Sequence, residues 1–135
     1  MYDSQKDIHV RIMDYYYGKV LYGKDIPIRG EGILDSIDQF SGQTFKINLF
    51  TEAYDVKRNK IYADDIVNVI KLTLDESSYE IERKIVGRGV VENRRAAYGV
   101  HIVKGQQEMK FIYLHDENYE FEVIGNYLEN KELLL

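Results

Sequence analysis

Histidine is the residue type in this sequence best suited to bind a transition metal, because the chain of 135 residues contains no cysteine. His9, His101 and His115 lie on three separate predicted strands, and none has a second histidine or a carboxylate at the spacing of a ligand pair. The lack of cysteine also excludes disulfides, thiolate metal sites and a cysteine nucleophile. The sequence therefore predicts no metal site and no cofactor.

Acid–base and nucleophilic chemistry have no stronger support. Asp64 and Asp65 are adjacent, so their side chains point to opposite faces on a strand, or cap backbone amides in a turn. The serines lie in no nucleophile-elbow context. Residues 87–89 read Gly, Arg, Gly without the third glycine and helix of a dinucleotide-binding loop, and we interpret them as a hairpin turn. We predict no catalytic residue and a protein that is not an enzyme.

The sequence feature with the most functional content is a group of basic residues within residues 83–95, opposed in that window only by Glu92. Its five basic members are Arg83, Lys84, Arg88, Arg94 and Arg95. If residues 86–91 form a hairpin, several of these charges converge on one loop end, flanked by Tyr79 and Tyr98 as stacking surfaces for bases. The segment is thus a candidate nucleic-acid-binding loop. The alternative is an ordinary solvated face.

The composition is that of a globular domain, with 44% hydrophobic and 30% charged residues. A net charge of −5 argues against attraction of the whole surface to nucleic acid or to anionic lipid. The apolar stretches are too short to span a membrane. The first residues lack the basic cluster and apolar run of a secretory signal, so we expect a cytoplasmic protein.

Alternation of apolar and polar residues dominates the chain and predicts half-buried strands. Residues 6–13 and 20–22 are predicted to form a hairpin whose turn uses Gly18. In residues 23–43 we expect loops and short apolar strands, the latter at residues 26–28 and 33–37. In residues 44–50, Phe45, Ile47 and Leu49 share one face of a strand.

The C-terminal half repeats this alternation at the spacing of a small sandwich or barrel. The predicted strands are 65–74, 79–86, 89–92, 98–103, 109–114 and 119–124. The first of these has apolar residues on both faces, which suits a central position in a sheet. Residues 126–134 lack alternation, which predicts a short helical turn or an ordered tail that docks Leu128 and Leu133.

Two segments carry a family resemblance. Residues 59–67 (NKIYADDIV) resemble the GKEIYEGDIV segment of YopX-like phage and prophage proteins, and residues 120–134 (EFEVIGNYLENKELL) resemble their terminal EVIGNIYENPELL. Residues 6–22, 39–42 (QFSG) and 89–100 are similar to further segments of that family. The chain departs from the family at Asp64, Lys131 and Met13, where Gly, Pro and Trp are usual, and residues 43–54 look like an insertion.

The resemblance implies a mainly-β fold, with an N-terminal β layer (1–55) packed on an SH3-like small barrel (56–135) in one YopX-like unit. It also implies a phage or prophage origin and a biochemical role that is not established, with no catalytic residues to carry over. The two matching segments also have a structural reading, because a turn into a strand and a strand that ends at a glycine are what barrel closure requires.

Two functional hypotheses follow from these features. The first is a non-enzymatic module that binds a protein partner, or forms a homo-oligomer, through exposed strand edges and its twelve tyrosines. The second is a nucleic-acid-binding accessory factor that uses the basic segment 83–95.

Overall fold

Strand formation by alternating and β-branched residues dominates the computed structural model, which describes residues 10–22, 45–106 and 110–135. The protein is mainly β: of the described residues, 67% are in strands and 4% are helical, and the strands form two antiparallel sheets of which one is a curled half-barrel. The mainly-β prediction is confirmed. The chain divides into two compact units, Met1–Phe50 and Thr51–Leu135, each described separately below.

The described elements are nine strands and one short helix. The strands are β1 (Val10–Asp14), β2 (Lys19–Tyr22), β3 (Phe45–Tyr54), β4 (Lys60–Tyr62), β5 (Asp65–Asp75), β6 (Glu80–Arg94), β7 (Ala97–Gly105), β8 (Phe111–Tyr113) and β9 (Tyr119–Asn126), and a 3-10 helix spans Lys131–Leu134. The strand orders are β2-β1-β3-β4 and β8-β7-β6-β5-β9.

The first unit contains the predicted hairpin of β1 and β2. Gly18 has a positive φ of 68° in the turn, as expected. The Asp14 carboxylate accepts hydrogen bonds from the backbone amides of Tyr16 and Tyr17 in the same turn. Arg11 is buried on β1 and donates from Nε to Asn48 Oδ1, its cross-strand neighbour on β3, at 2.8 Å. The face of β3 that carries Ile47 and Leu49 is the exposed one.

The predictions for residues 6–9, 26–28, 33–37 and 39–42 lie outside the described residues, as does His9.

The second unit is a meander of β5, β6, β7 and β8, after which β9 returns to pair with the other edge of β5. The central position predicted for the strand at 65–74 is confirmed. One face of the sheet buries the core, whose members are Ile61, Val67, Val69, Val86, Val91, Val100, Ile102, Ile112 and Phe121. Burial of this aliphatic surface is the main stabilising contribution to the unit.

The prediction of two strands with a hairpin at residues 86–91 is wrong, because β6 runs unbroken through them. The glycines serve close strand packing instead of a turn: a Cβ on Gly89 would lie 2.0 Å from the carbonyl oxygen of His101 on β7. The turn comes later, at Arg95 and Ala96, which both have positive φ. Glycine inside a strand often marks such a close backbone approach.

The segment 59–67 forms the turn from β4 into β5. Asp64 takes a positive φ of 66°, a conformation that Gly adopts at no steric cost. The buried Asp65 carboxylate accepts a hydrogen bond from the Tyr62 amide at 2.8 Å, so the capping role expected of this pair is confirmed for Asp65. The Asp64 amide donates to Val91 on β6, and its carbonyl accepts from Tyr127.

The terminal segment is a second compact turn. Asn126 Oδ1 accepts from the amides of Leu128 and Glu129, while its own amide donates to Asn130 Oδ1 at 3.0 Å. A Cβ on Gly125 would lie 2.6 Å from that Asn130 oxygen, so only glycine fits here without displacing it. The predicted helical turn is confirmed as the 3-10 helix Lys131–Leu134.

Candidate functional site

The β5–β6 hairpin extends beyond the rest of its sheet. β9 pairs with β5 only as far as Lys71, and β7 pairs with β6 only from Gly87 onward. In the part of the chain that the structure describes, residues 72–75 have ladder partners only in residues 80–83, while Lys84 and Ile85 pair only with Lys71 and Ile70 of β5. We call residues 72–85 the arm. An isolated two-stranded ribbon is only marginally stable in water, so we expect the side chains of the arm to pack against a further surface.

The arm has one apolar and one charged face. Cross-strand partners share a face, and Leu74 lies opposite Ile81 while Leu72 lies opposite Arg83. Ile85 continues this face at the base of the arm, opposite Ile70 of β5. The other face carries the pairs Lys71–Lys84, Thr73–Glu82 and Asp75–Glu80. The ribbon is therefore amphipathic although neither face contributes to the core cluster.

The apolar face is open to solvent. Leu74 is 57% exposed, Ile81 53% and Ile85 57%. Tyr79, in the turn at the tip, is 84% exposed. Single exposed apolar residues are normal on a protein surface, but a contiguous group of them marks a contact surface.

The tip of the arm is an ordered turn. The Asp75 carboxylate accepts hydrogen bonds from the Ser77 amide at 2.9 Å and the Ser77 hydroxyl at 2.6 Å, and these bonds hold the pKa of Asp75 below its usual range. The Tyr79 amide donates to the Asp75 carbonyl at 2.8 Å. These hydrogen bonds hold the backbone of Tyr79 in a defined position at the tip of the arm.

A shallow, open concavity of about 490 Å³ lies at the base of the arm, within the second unit. Its apolar and aromatic lining consists of Tyr54, Val56, Ile70, Leu114, Tyr119 and Phe121. The ion pair between Arg83 and Glu120, with Nε and Oε2 3.2 Å apart, lies at its edge. Ile70 belongs both to this concavity and to the apolar face, so the two surfaces are continuous.

The predicted nucleic-acid-binding residues do not converge on one loop. Because β6 is continuous, Arg83 and Arg94 are separated by eleven strand positions, about 36 Å at ~3.3 Å per residue. Lys84 lies on the charged face of the arm, and Arg95 is exposed in the β6–β7 turn. Nucleic-acid binding stays a prediction, without the hairpin on which it was based.

Besides Arg83, which pairs with Glu120, two more of these arginines are engaged in structural contacts. Arg88 Nε donates to Asn68 Oδ1 at 3.2 Å, and Arg88 Nη1 donates to the Leu133 carbonyl at 3.1 Å, which ties the C-terminal 3-10 helix to β6. Arg94 donates to the Glu92 carboxylate at 2.7 Å and packs over the Phe111 ring.

Asn68 on β5 lies between Arg88 on β6 and Glu122 on β9, and it is hydrogen-bonded to both. Its Nδ2 donates to Glu122 Oε1 at 3.1 Å, and Glu122 Oε2 lies 3.2 Å from Lys57 Nζ. The hydrogen bond from Asn68, followed by the Lys57 ammonium, lowers the pKa of Glu122. These contacts connect the β3–β4 loop with β5 and β9.

The buried Asp55 carboxylate accepts hydrogen bonds from both ends of the second unit. Its Oδ1 accepts from the amides of Lys57 and Asn59, at 2.9 and 2.8 Å, and its Oδ2 accepts from the Val123 amide at 3.0 Å. Burial raises the pKa of Asp55, but these hydrogen bonds outweigh that effect and bring the pKa below its usual range. Asp55 therefore connects the β3–β4 loop to β9 as an anion.

The described histidines are engaged with neighbours rather than with each other. His101 Nδ1 lies 3.0 Å from Arg94 Nη2, and the His115 ring stacks on Tyr113. Across the three described segments, no group of three or more acidic or histidine side chains is placed to hold a metal ion. The same part of the chain contains no helix long and apolar enough to cross a membrane.

No protein-family model matches this chain. Comparison with curated proteins also gives no match. The YopX-like resemblance of residues 59–67 and 120–134 therefore remains a prediction, and the arm has to be interpreted from its own residues.

The arm was not predicted from the sequence, although one signal for it was present. Ile70, Leu72 and Leu74 alternate with polar residues after the run of buried residues at the start of β5 has ended. This change of pattern indicates that a central strand continues as an amphipathic extension.

Proposed function

We propose that this protein is a non-enzymatic module that binds protein through the apolar face of the arm. The single observation that carries the proposal is the exposure of Leu74, Ile81 and Ile85 on one face of a ribbon that contributes nothing to the core cluster. Leaving such a face in water is unfavourable, and covering it with an apolar partner surface removes that cost.

Three further features support binding over catalysis. The apolar face continues through Ile70 into the tyrosine-lined concavity, which extends the contact area beyond the ribbon. Tyrosine supplies a large, fairly rigid contact surface, and Tyr79 lies at the tip where a partner would meet it. The described carboxylates with shifted pKa values are Asp55, Asp75 and Glu122, and each is shifted downward by hydrogen bonds that also hold loops or strands together.

We also propose that the protein is a phage or prophage accessory factor of the YopX-like type that acts in the cytoplasm. The matching segments at 59–67 and 120–134 support this, since both form compact turns in which the structure gives Asp64, Gly125 and Asn126 definite backbone roles. A family can retain such turns for folding alone, so the binding role rests on the arm.

Site-specific photocrosslinking in the cells that produce the chain tests the binding role. A photoreactive residue at Ile81, on the apolar face, should give adducts with protein that survive nuclease treatment. The same residue at Thr73, on the charged face, is the matched control and should give few. Adducts of equal yield at both positions, adducts only with nucleic acid, or none at either position would contradict the proposal.

A further inference from the structure

Among the described residues, no strand pairs with the outer edge of the arm, and the orientation of its backbone groups is defined. The Leu72 amide donates to Asn118, away from β6, and the Asp75 carbonyl accepts from Tyr79, toward β6. Backbone groups alternate in direction along an antiparallel strand. Residues 80, 82 and 84 of β6 therefore face β5, and the backbone N–H and C=O groups of Ile81, Arg83 and Ile85 point outward. No strand of the described segments pairs with that edge before Gly87.

The order of side chains along this edge is self-complementary. An antiparallel pairing of residues 81–85 with the same residues of another molecule, centred on Arg83, places Ile81 opposite Ile85 on the apolar face. On the charged face, it places Glu82 opposite Lys84. Each contact occurs twice, because a two-fold axis relates the molecules. Aliphatic and opposite-charge pairs across strands both stabilise such a pairing.

Arg83 meets its own copy at the centre of this arrangement, and the structure offsets the repulsion. Each Arg83 guanidinium lies 3.2 Å from the Glu120 carboxylate of its own chain. We infer that the partner of the arm is a second copy of this chain, joined edge to edge through residues 81–85 of β6. This inference rests on the proposed function, because it names the protein that the arm binds.

Charge exchange at Glu82 and Lys84 tests the pairing. In Glu82→Lys, two lysines face each other at each contact, and in Lys84→Glu, two glutamates do. Sedimentation velocity over a concentration series should show a dimer for the natural chain, and each variant should raise the dimer dissociation constant roughly tenfold or more. Mixing the two variants should restore association, since every contact then joins Lys to Glu. The double variant should associate like the natural chain.

Lys71→Glu is the matched control, because it makes the same charge change on the same face but on β5, away from the outer edge. It should leave the dimer intact. A natural chain that stays monomeric would overturn the inference, as would a dimer that all three single variants weaken equally or that mixing fails to restore. A monomer that still gives Ile81 crosslinks to a different protein would overturn only the pairing, whereas loss of all Ile81 crosslinks would overturn the proposed function as well.

Discussion

The carboxylate of Asp55 accepts a hydrogen bond from the amide of Val123, 68 positions along the chain. The same carboxylate organises the β3–β4 loop through Lys57 and Asn59. One ionised side chain thus connects a local turn with the last strand of the half-barrel. Because Val56 also donates to the Phe121 carbonyl, this loop covers part of the edge of β9 that faces away from β5.

The first prediction concerns pH. Because the native pKa of Asp55 lies below its unfolded value, its stabilising contribution is complete above the unfolded pKa of about 3.9 and is lost as the pH falls through the native pKa. Asp75 and Glu122 act in the same direction. Urea unfolding at a series of pH values should show this loss of stability on acidification.

Asp55→Asn isolates the contribution of this residue. Its amide oxygen can still accept from the loop, but its NH₂ group would face the Val123 amide, so we expect a loss of about 1 to 3 kcal/mol at neutral pH. The variant should also show a weaker pH dependence than the natural chain. An unchanged acid transition would contradict the role assigned to Asp55.

The second prediction concerns the positive φ of Asp64. Asp64→Gly and Asp64→Val both remove the carboxylate, but only valine is strained at a φ of 66°. Thermal or urea unfolding should find the valine variant less stable than the glycine variant by about 1 to 2 kcal/mol. Equal stability of the two would show that the turn relaxes to another conformation.

The third prediction concerns the contact between Gly125 and Asn130. Gly125→Ala should destabilise the protein by about 1 to 3 kcal/mol, because the new methyl group displaces a side chain that holds the Asn126 amide. In an Asn130→Gly background, the same change should cost clearly less, as a double-mutant cycle on unfolding free energies would reveal. A cost independent of residue 130 would locate the strain elsewhere.

The fourth prediction separates Arg88 from Arg95. Arg88→Ser removes the hydrogen bonds to Asn68 and to the Leu133 carbonyl, and should speed amide hydrogen exchange in residues 127–135. Arg95→Ser changes an exposed turn residue and should alter the free energy of unfolding by less than about 0.5 kcal/mol. Faster exchange of the C-terminal residues in both variants, or in neither, would contradict the anchoring role of Arg88.

The fifth prediction concerns nucleic acid. Because the basic residues are spread along β6, we expect no saturable binding of labelled single- or double-stranded oligonucleotides at physiological salt in fluorescence anisotropy. Saturable binding that weakens steeply with salt and is abolished by replacing Arg88, Arg94 and Arg95 with serine would support the alternative function instead.

Much of the fold could be predicted because the signals are local. Alternation located β5, β7 and β9, and its absence in residues 126–134 correctly predicted non-strand structure from residue 127 onward, although Asn126 is the last residue of β9. The failures involve contacts between distant residues. Whether the glycine at position 89 makes a turn or admits a neighbouring strand depends on His101, which the residues around position 89 do not reveal.

The binding surface was missed for a related reason. Alternation shows that two faces exist, but which face is buried depends on how far the neighbouring strands extend. β9 and β7 stop before the arm begins, so aliphatic residues that resemble core positions remain exposed. The same holds for β3, where Ile47 and Leu49 lie on the exposed face while Asn48 is buried beside Arg11.

The long ladder between β5 and β6 has a consequence for engineering. The two strands share ten registered pairs, and the turn that joins them is exposed. A cut between Ser77 and Ser78 would sever the polypeptide yet leave every rung of that ladder in place, so fragments 1–77 and 78–135 should reassemble when expressed together. The tip is accordingly the natural position for new termini in a circular permutant, or for an inserted reporter domain.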